Sequence, residues 1–286
     1  MLQWLPENVS TFGQGVDNLF HAIYWLTVVV FILVMGTLIV FLIKYRHQEG
    51  KKADYIEGST TLEIVWTVVT TVIVFVLAMF SYPQWNNIKS PTQFPENPDV
   101  VVQVSGKQFN WDMTYPGPDN EFGTDDDLEL ENELHVPMNA VVHIRLTAED
   151  VIHSFFVPQL RLKQDALPNR FINVWFQTEL DDKPIQNFER LKAKGYFAVT
   201  LTPADANTPL ISGTILKETE DTLELEVGDE TQTISKANVK QLAPKVWRYE
   251  IPCAELCGFG HSGMLGYLNV HTQESYDAWV QERWPQ

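Results

Sequence analysis

The sequence contains few cysteines and few basic residues. Cys253 and Cys257 are its only cysteines, and no Cys-x-x-Cys-His motif occurs, so the chain carries no c-type haem of its own. Its 20 lysine and arginine residues are outnumbered by 37 aspartate and glutamate residues, which gives a formal net charge of −17. Because so acidic a chain repels phosphate groups, we expect no nucleic acid among its partners.

Two long stretches contain no charged residue. Residues 22–43 form one uncharged run and residues 64–81 form a second. Each run is long enough to cross a bilayer core as a helix. Each is also apolar or aromatic on every face, whereas a buried core helix keeps a polar stripe. We therefore predict a hairpin of two transmembrane helices, at about residues 20–44 and 62–82, with Tyr82-Pro83 ending the second helix.

Basic residues predict how this hairpin is oriented. The connector contains four of them (Lys44, Arg46, Lys51 and Lys52), whereas no lysine or arginine precedes residue 22. The positive-inside bias places the connector in the cytoplasm and both termini outside. Residues 1–20 lack the basic start of a cleaved secretory signal, so we interpret them as a short external segment. The predicted location is a bacterial inner membrane, in contact with lipid, with the rest of the chain on the periplasmic side.

The acidic residues are concentrated after the hairpin. Beyond Tyr82 the chain has 16 basic and 31 acidic residues, a net charge of −15. An external domain of this charge would attract a basic partner, and salt would weaken the attraction. Acidity that serves solubility alone explains the composition equally well when it is taken by itself.

Short strands follow a linker at residues 89–98, which completes an N-terminal part of residues 1–98. Strands are predicted at residues 100–104, 140–148, 171–176, 246–251 and 266–270, and a closing amphipathic helix at residues 274–284. Such spacing predicts a Greek-key sandwich or barrel over residues 99–286. Residues 116–131 read as a dense acidic turn.

A long polar region, at about residues 178–245, interrupts this pattern. Within it, residues 213–217, 222–227 and 231–235 alternate apolar and polar side chains and are separated by turn residues. A structureless loop of this length would be improbable in a compact domain. We therefore predict a small antiparallel β module inserted between two strands.

Both cysteines lie in a segment that is rich in potential metal ligands. An exported cysteine pair can form a disulfide, or half of a zinc site, although the chain has no second pair. It can also bind copper, which prefers thiolate and imidazole ligands with a weak axial methionine. His261 and Met264 follow closely and favour copper. Two thiolates suit two coppers bridged by both sulfurs, a centre for electron transfer, and a second imidazole must come from elsewhere in the fold.

The spacing Cys253-x-Glu255-x-Cys257-x3-His261-x2-Met264 resembles the copper loop of a known family. The family is subunit II of the haem-copper cytochrome c oxidases, which carries a binuclear CuA centre on a cupredoxin domain. Residues 150–158 (DVIHSFFVP) resemble the segment with the other imidazole, and residues 62–67 (LEIVWT) resemble the start of the second membrane helix. The resemblance covers roughly residues 19–176 and 246–284 and leaves the insert outside. It implies a membrane-anchored all-β protein, with two transmembrane helices followed by a cupredoxin Greek-key β-barrel.

The resemblance also implies a role for each matching residue. Cys253 and Cys257 would bridge two coppers, His153 and His261 would each bind one, and Met264 and the Glu255 carbonyl would be weak axial ligands. The Glu255 side chain would help to hold a magnesium ion shared with the catalytic subunit. Glu63 matches the acid at the mouth of a proton pathway, although a solvated helix-start glutamate is a strong alternative.

Residues 106–111 (GKQFNW) resemble the aromatic strand over which electrons arrive, but the family usually has tryptophan at the position of Phe109. Trp111 remains, so either the donor differs or any aromatic suffices. Asp150 is a candidate for docking a basic donor. Asp119, Asp125 and Asp127 could bind calcium, but their spacing does not fit the twelve-residue calcium loop, and a solvated acidic turn is the alternative.

The resemblance implies that the chain accepts electrons from cytochrome c or another periplasmic donor. It would pass them to the catalytic subunit I, beside further oxidase subunits, for oxygen reduction coupled to proton pumping. The CuA subunit of a nitric oxide reductase is the alternative, because the gas chemistry resides in another chain. The intact ligand set argues against a copper-free quinol oxidase subunit. A copper-delivery protein is disfavoured because buried cysteines would hold copper too firmly.

Overall fold

The computed structural model describes residues 4–52, 55 and 57–284. The chain divides into two compact units. One consists of residues 14–93, and the other combines the residues up to 13 with those from 94 onwards. The predicted fold class is confirmed, because two apolar N-terminal helices precede a domain built almost wholly from β-strands.

The first unit contains helices α1 (Gly13–Lys44) and α2 (Thr60–Lys89). Both are long and apolar enough to cross a membrane. Ser59 caps α2 by accepting a hydrogen bond from the Leu62 backbone N–H, one of the donors that a helix start leaves unpaired.

Both helices are longer than their uncharged runs, and the prediction that Tyr82-Pro83 ends the second helix is wrong. Pro83 lies inside α2, which continues to Lys89. A proline removes one backbone donor, but the backbone bonds resume beyond it, as in the bond from Ser90 N to Asn86 O. Similarly, α1 begins with polar residues, among which Gln14 donates to Asn18 one turn later. An uncharged run therefore marks the apolar part of a helix and not its ends.

The second unit contains fourteen strands and a C-terminal helix within its described residues. In chain order, the strands are β1 (Val100–Lys107), β2 (Asn110–Tyr115), β3 (Leu128–Glu131), β4 (Glu133–Pro137), β5 (Val141–Ala148), β6 (His153–Val157), β7 (Leu162–Ala166), β8 (Ile172–Gln177), β9 (Tyr196–Pro203), β10 (Ile211–Glu218), β11 (Thr222–Val227), β12 (Glu230–Ser235), β13 (Val239–Pro252) and β14 (Leu265–His271). Helix α3 (Gln273–Arg283) follows. The strands form a five-stranded sheet in the order β3-β2-β1-β5-β8, a seven-stranded sheet in the order β12-β11-β10-β9-β13-β14-β4, and the hairpin β6-β7.

The core of this unit follows from the alternation along its strands. On β5, Val142, Ile144 and Leu146 are fully buried, as the period of two predicts. Trp111 on β2 is also fully buried, and a Cβ atom on Gly266 of β14 would lie 3.2 Å from its ring. A glycine at position 266 therefore lets the two sheets approach each other around this indole.

The segment before α1 is part of the β unit. Thr11 N donates to Gln177 O, Val9 N donates to Gln159 O, and Ser10 pairs with Thr178 as an isolated bridge. Val9 and Phe12 are buried. Residues 4–12 and those from 94 onwards therefore belong to one compact body.

The insert is an extension of the seven-stranded sheet. The three alternating segments predicted within it correspond to β10, β11 and β12, whereas β9 was not predicted although Phe197, Val199 and Leu201 alternate along it. Strand β9 pairs with β13 from Pro203 opposite Val239 to Tyr196 opposite Trp247. The insert also has its own hydrophobic core, formed by Leu191, Val199, Leu201, Ile215, Leu223, Leu225, Val239 and Leu242. Strand β13 continues from this core into the main one, because Ile251 is buried there, so the insert is not a separate module on a tether.

The acidic segment at residues 116–131 is also not a turn throughout, because β3 occupies its last four residues. Strand β3 pairs with β2, with Leu128 opposite Tyr115 and Glu131 opposite Asp112. The pairing adds an edge strand to the five-stranded sheet.

Candidate metal centre

Backbone hydrogen bonds bring the segment between β13 and β14 next to the start of β6. Cys253 N donates to Met264 O across the mouth of the loop, at 3.1 Å, and Ala254 N donates to Ser154 O at 2.9 Å. Cys253 also forms an isolated bridge with Phe155. The loop of residues 253–264, here called the copper loop, is thereby fixed against the strand that begins with His153.

Five side chains and one carbonyl of the predicted ligand set meet at this junction. The two sulfurs, Cys253 Sγ and Cys257 Sγ, are 3.9 Å apart. The other distances are 3.8 Å from Cys253 Sγ to His153 Nδ1, 3.2 Å from Cys253 Sγ to Glu255 O, 3.6 Å from Cys257 Sγ to His261 Nδ1, and 3.8 Å from Cys257 Sγ to Met264 Sδ. Each cysteine therefore has its own imidazole and its own weaker donor.

The centre is shielded from solvent. His153 is fully buried, and Cys253, Cys257 and Met264 are each less than a tenth exposed, whereas His261 is half-buried. Burial, together with the neighbouring Cys253, raises the pKa of the Cys257 thiol to about 11. Both cysteines are free thiols. A metal that binds here must displace thiol protons.

The chemistry of these donors fits copper. Two thiols, two imidazole nitrogens and a thioether are soft or intermediate ligands, and a thioether is an unusual ligand for zinc. The donors are divided between the two sulfurs, because one imidazole and one weaker donor lie beside each of them. In the described part of the chain, His153, Cys253 and Cys257 form the one cluster of at least three histidine, cysteine or acidic side chains close enough to bind a metal.

Asp150 links two parts of the site. Its Oδ1 accepts a hydrogen bond from His153 Nε2 at 2.8 Å, and its Oδ2 accepts one from Gln108 N at 2.8 Å. Burial alone would raise the pKa of Asp150, but these bonds and that of Val151 N lower it below its usual range. With the proton on Nε2 facing the carboxylate, His153 presents its Nδ1 lone pair to the sulfurs. The spacing Asp-x-x-His was the sequence signal for this role, which the sequence analysis missed.

Phe109 and Trp111 lie on different sides of the site. Phe109 is about one-third exposed, at 37%, and its ring covers the backbone of the copper loop. A Cβ atom on Gly260 would come 2.5 Å from that ring. Trp111 is fully buried, with its ring centroid 6.0 Å from that of His153. Both residues were predicted to lie on an electron-receiving surface. Because Trp111 is fully buried, it cannot touch an external donor, whereas Phe109 can.

The remaining predicted site residues contribute no side chain to this cluster. Glu63 is in the first turn of α2, and the Glu255 side chain is exposed. The three predicted calcium ligands do not converge: Asp119 accepts from Glu121 N, Asp127 accepts from Gly123 N, and Asp125 is exposed. The first two carboxylates stabilise the turns of the acidic loop, and calcium binding there stays a prediction.

Two family models match the chain. The model described as cytochrome c oxidase subunit II, transmembrane domain, matches residues 1–83, and that described as cytochrome c oxidase subunit II, periplasmic domain, matches residues 105–183. Together they match more than half of the chain. The second match contains His153 and ends where the insert begins, before the copper loop.

Similar curated proteins share the description of these models. The cytochrome c oxidase subunit 2 of Synechocystis sp. is 27% identical, over 96% of this chain and 74% of that protein. The protein of the same description from Thermostichus vulcanus is 26% identical, over 96% and 77%. Among solved structures, the periplasmic domain of subunit II of the cytochrome oxidase of Bradyrhizobium japonicum is similar at 20% identity and a TM-score of 0.38, over 66% of this chain and 96% of that one. A haem-copper terminal oxidase dimer is similar at 15% identity and a TM-score of 0.34, over 73% and 99%.

Proposed function

Because the chain belongs to the cytochrome c oxidase subunit II family, we propose that it receives electrons at a binuclear copper centre and passes them to the catalytic subunit. The observation that carries this proposal is the meeting of two cysteines, two histidines and a methionine in one buried cluster. A single-copper electron-transfer site would need only one of the two thiolates.

Each ligand has a proposed role that its position supports. Cys253 and Cys257 would supply the thiolates, and His153 and His261 the Nδ1 nitrogens, that hold two coppers. Met264 and the Glu255 carbonyl would be the weaker donors. When bound, the copper pair supplies a one-electron carrier whose charge is shared between two metals.

The chain's own residues prepare the site for this role. The sulfurs are buried away from water. The bonds from Cys253 N to Met264 O and from Ala254 N to Ser154 O fix the loop before any metal arrives. Asp150 orients the His153 ring through Nε2. Little then has to rearrange when an electron arrives or leaves, which favours fast transfer.

Electrons are proposed to arrive over Phe109, the partly exposed aromatic ring on the copper loop. The donor is cytochrome c or another basic periplasmic protein, which the acidic domain would attract. Asp150 contributes to docking, because its side chain stays 34% exposed while it holds His153.

Partner subunits complete the reaction. Oxygen reduction and proton pumping reside in subunit I, with Glu63 at the mouth of a proton pathway and the exposed Glu255 carboxylate at a shared magnesium ion. The similar proteins described above are named as cytochrome c oxidase subunits, which favours an oxidase over a nitric oxide reductase.

The proposed orientation places the β unit on the periplasmic side. Two observations support it: the residues before α1 and those after α2 belong to one compact unit, and the four basic residues lie in the connector at the other ends of the helices. Aromatic pairs occur near the β-unit ends of both helices, Tyr24 with Trp25 and Tyr82 with Trp85. Such pairs are typical of a membrane interface.

The proposal can be tested on the full chain purified in detergent and loaded with copper. We expect two coppers per chain and a paramagnetic resonance spectrum of one unpaired electron shared between two copper nuclei. Cys257→Ser should abolish the shared spectrum while leaving the fold intact by circular dichroism. A single localised copper in the wild-type protein, or bound zinc in preference to copper, would contradict the proposal.

A further inference from the structure

Gln108 contacts both halves of the metal centre without being a ligand. It lies in the turn between β1 and β2, at residues 107–110. Its side-chain Nε2 donates a hydrogen bond of 2.5 Å to the Cys257 carbonyl, and its backbone N–H donates to Asp150, which holds His153. One residue therefore connects the backbone of Cys257 on the copper loop with the imidazole of His153 at the start of β6.

The part of the copper loop that Gln108 holds is its least restrained part. Gly258 has a φ of +134° and Phe259 is fully exposed to solvent. The neighbouring backbone bonds, from His261 N to Gly258 O and from Gly263 N to Gly260 O, are local turns within the loop itself. A bond from outside the loop is needed to fix the Cys257 peptide relative to β6, and the Gln108 amide supplies one.

Phe109 adds packing to this contact. Cβ atoms on Gly258 and Gly260 would lie 3.1 Å and 2.5 Å from its ring, so the ring fits on the loop because both positions are glycines. The turn at residues 107–110 thus covers the loop with a ring and holds it with an amide.

We propose that Gln108 is a positioning residue for the copper centre. Its amide sets where the Cys257 sulfur lies relative to the His153 nitrogen, and thereby how the unpaired electron is divided between the two coppers. This inference rests on the proposed function. Gln108 would act on the copper ions only through their ligands and would not contact the ions directly.

Removing the amide should change the centre more than the fold. Groups that orient metal ligands from the next layer typically change metal affinity about 10–100-fold when they are replaced. Methionine at position 108 keeps the length and most of the packing but cannot donate a hydrogen bond. Glutamate keeps the shape, but as a carboxylate it would repel the Cys257 carbonyl oxygen.

The test compares Gln108→Met and Gln108→Glu with a matched control, Gln103→Met, in the full chain in detergent. Gln103 is a half-buried glutamine on β1, the strand that leads into the turn of Gln108, opposite Thr114 and Arg145. The readouts are copper affinity by competition with a chelator, the copper hyperfine pattern in the paramagnetic resonance spectrum, and circular dichroism. We expect both Gln108 variants to bind copper about 10–100-fold more weakly and with an altered hyperfine pattern, and Gln103→Met to match the wild type.

A folded Gln108→Met protein with wild-type affinity and hyperfine pattern would overturn the inference, as would an equal effect of Gln103→Met. Should Gln108→Met not fold, Gln108→Glu decides by the same two readouts. The failure of the wild-type chain to bind two coppers is a different outcome, which would overturn the proposed function and this inference with it.

Discussion

The Asp150 side chain both holds a metal ligand and faces the solvent. Its carboxylate accepts from His153 Nε2 and Gln108 N, yet about a third of the side chain faces solvent. A negative charge this close to the metal ligands stabilises the oxidised, more positive state of the centre. The same charge is available to a basic donor.

Asp150→Asn should therefore raise the reduction potential of the copper centre. The asparagine oxygen can still accept from His153, but the negative charge is gone. A unit charge at this distance, partly screened by solvent, changes the potential by an amount on the order of tens of millivolts. The measurement is a redox titration followed by the absorption of the copper centre.

The neighbouring acid provides the control for this substitution. Glu149 is exposed and accepts only a long hydrogen bond, of 3.5 Å, from Ser105 Oγ. Glu149→Gln removes the same charge without touching His153 and should leave the potential close to that of the wild type. If the two variants shifted the potential equally, the bond to His153 would have no special role.

Some of the ligands could be predicted from the local sequence pattern, and others could not. The spacing of Cys253, Cys257, His261 and Met264 predicts copper on chemical grounds, because the four residues lie in one loop. His153 lies 100 positions from Cys253, so local pattern could not select it, and only the family resemblance did. Gln108 was beyond either approach, since its contact depends on how a turn from the other sheet lies on the loop.

At the scale of elements, helix and strand boundaries were predicted from hydrophobicity. The predictions therefore missed polar residues that extend an element through backbone hydrogen bonds. The polar first turns of α1 and the stretch beyond Pro83 in α2 continue the backbone hydrogen bonds without apolar side chains. Strand β9 was not predicted, although its apolar residues Phe197, Val199 and Leu201 alternate as in the neighbouring strands. Its pairing with β13 is a tertiary contact, which the local sequence pattern does not predict.

A partly buried ion pair stabilises the insert. Lys236 Nζ lies 3.0 Å from Glu218 Oε1, with both side chains at most 13% exposed, and Glu218 Oε2 also accepts from Lys192 N. Although burial alone would raise the pKa of Glu218, these bonds lower it below its usual range. Glu218→Gln should destabilise the insert by about 2 kcal/mol, because it leaves Lys236 with an unpaired charge.

Limited proteolysis of the full chain measures this effect, as faster cleavage within residues 178–245. The matched control is Glu224→Gln on β11, whose pairing with Lys217 is longer, at 3.9 Å, and more exposed. That variant should change stability by no more than about 0.5 kcal/mol. Equal cleavage rates in the two variants would show that the Glu218 pair does not hold the insert.

A histidine pair joins β4, β14 and α3. His135 Nδ1 lies 2.8 Å from His271 Nε2, and His271 Nδ1 lies 3.0 Å from Ser275 Oγ. Burial, with the charges of His135 and Arg248, lowers the pKa of His271 to about 3. Burial lowers the pKa of His135 as well. Both imidazoles are therefore neutral in the folded domain at neutral pH.

This pair should make the domain sensitive to acid. In the unfolded chain the pKa of histidine is about 6.5. Below that pH, His271 is therefore protonated in the unfolded state but stays neutral in the folded state. Stability therefore falls as the pH decreases from about 6.5 towards 3, by up to about 1.4 kcal/mol per pH unit for this group. Urea unfolding of the full chain at several pH values measures the slope, and His271→Asn should reduce it by about one proton. An unchanged slope would contradict the assignment.

At the scale of the whole molecule, net charge predicts how an electron donor approaches the chain. The chain beyond Tyr82 has a net charge of −15. The rate constant for reduction by a cationic cytochrome c should decrease as salt is added up to about 0.15 M, where the Debye length falls to about 8 Å. Stopped-flow reduction of the copper-loaded chain measures it. A neutral small-molecule reductant is the control and should show no such decrease, and a salt-independent rate with cytochrome c would mean that the acidity serves solubility alone.

The pairing of β9 with β13 also has a consequence for the order in which the protein folds. Because β13 runs from the core of the insert to the residue before Cys253, the copper loop joins His153 only after a long intervening segment has found its own place. The entropy of closing a loop grows slowly, by roughly 0.6 kcal/mol for each doubling of its length, so the insert weakens the finished site little. Contacts between residues far apart in sequence nevertheless form slowly. Copper binding would then show that the copper loop has been synthesised and has paired with the strand that carries His153.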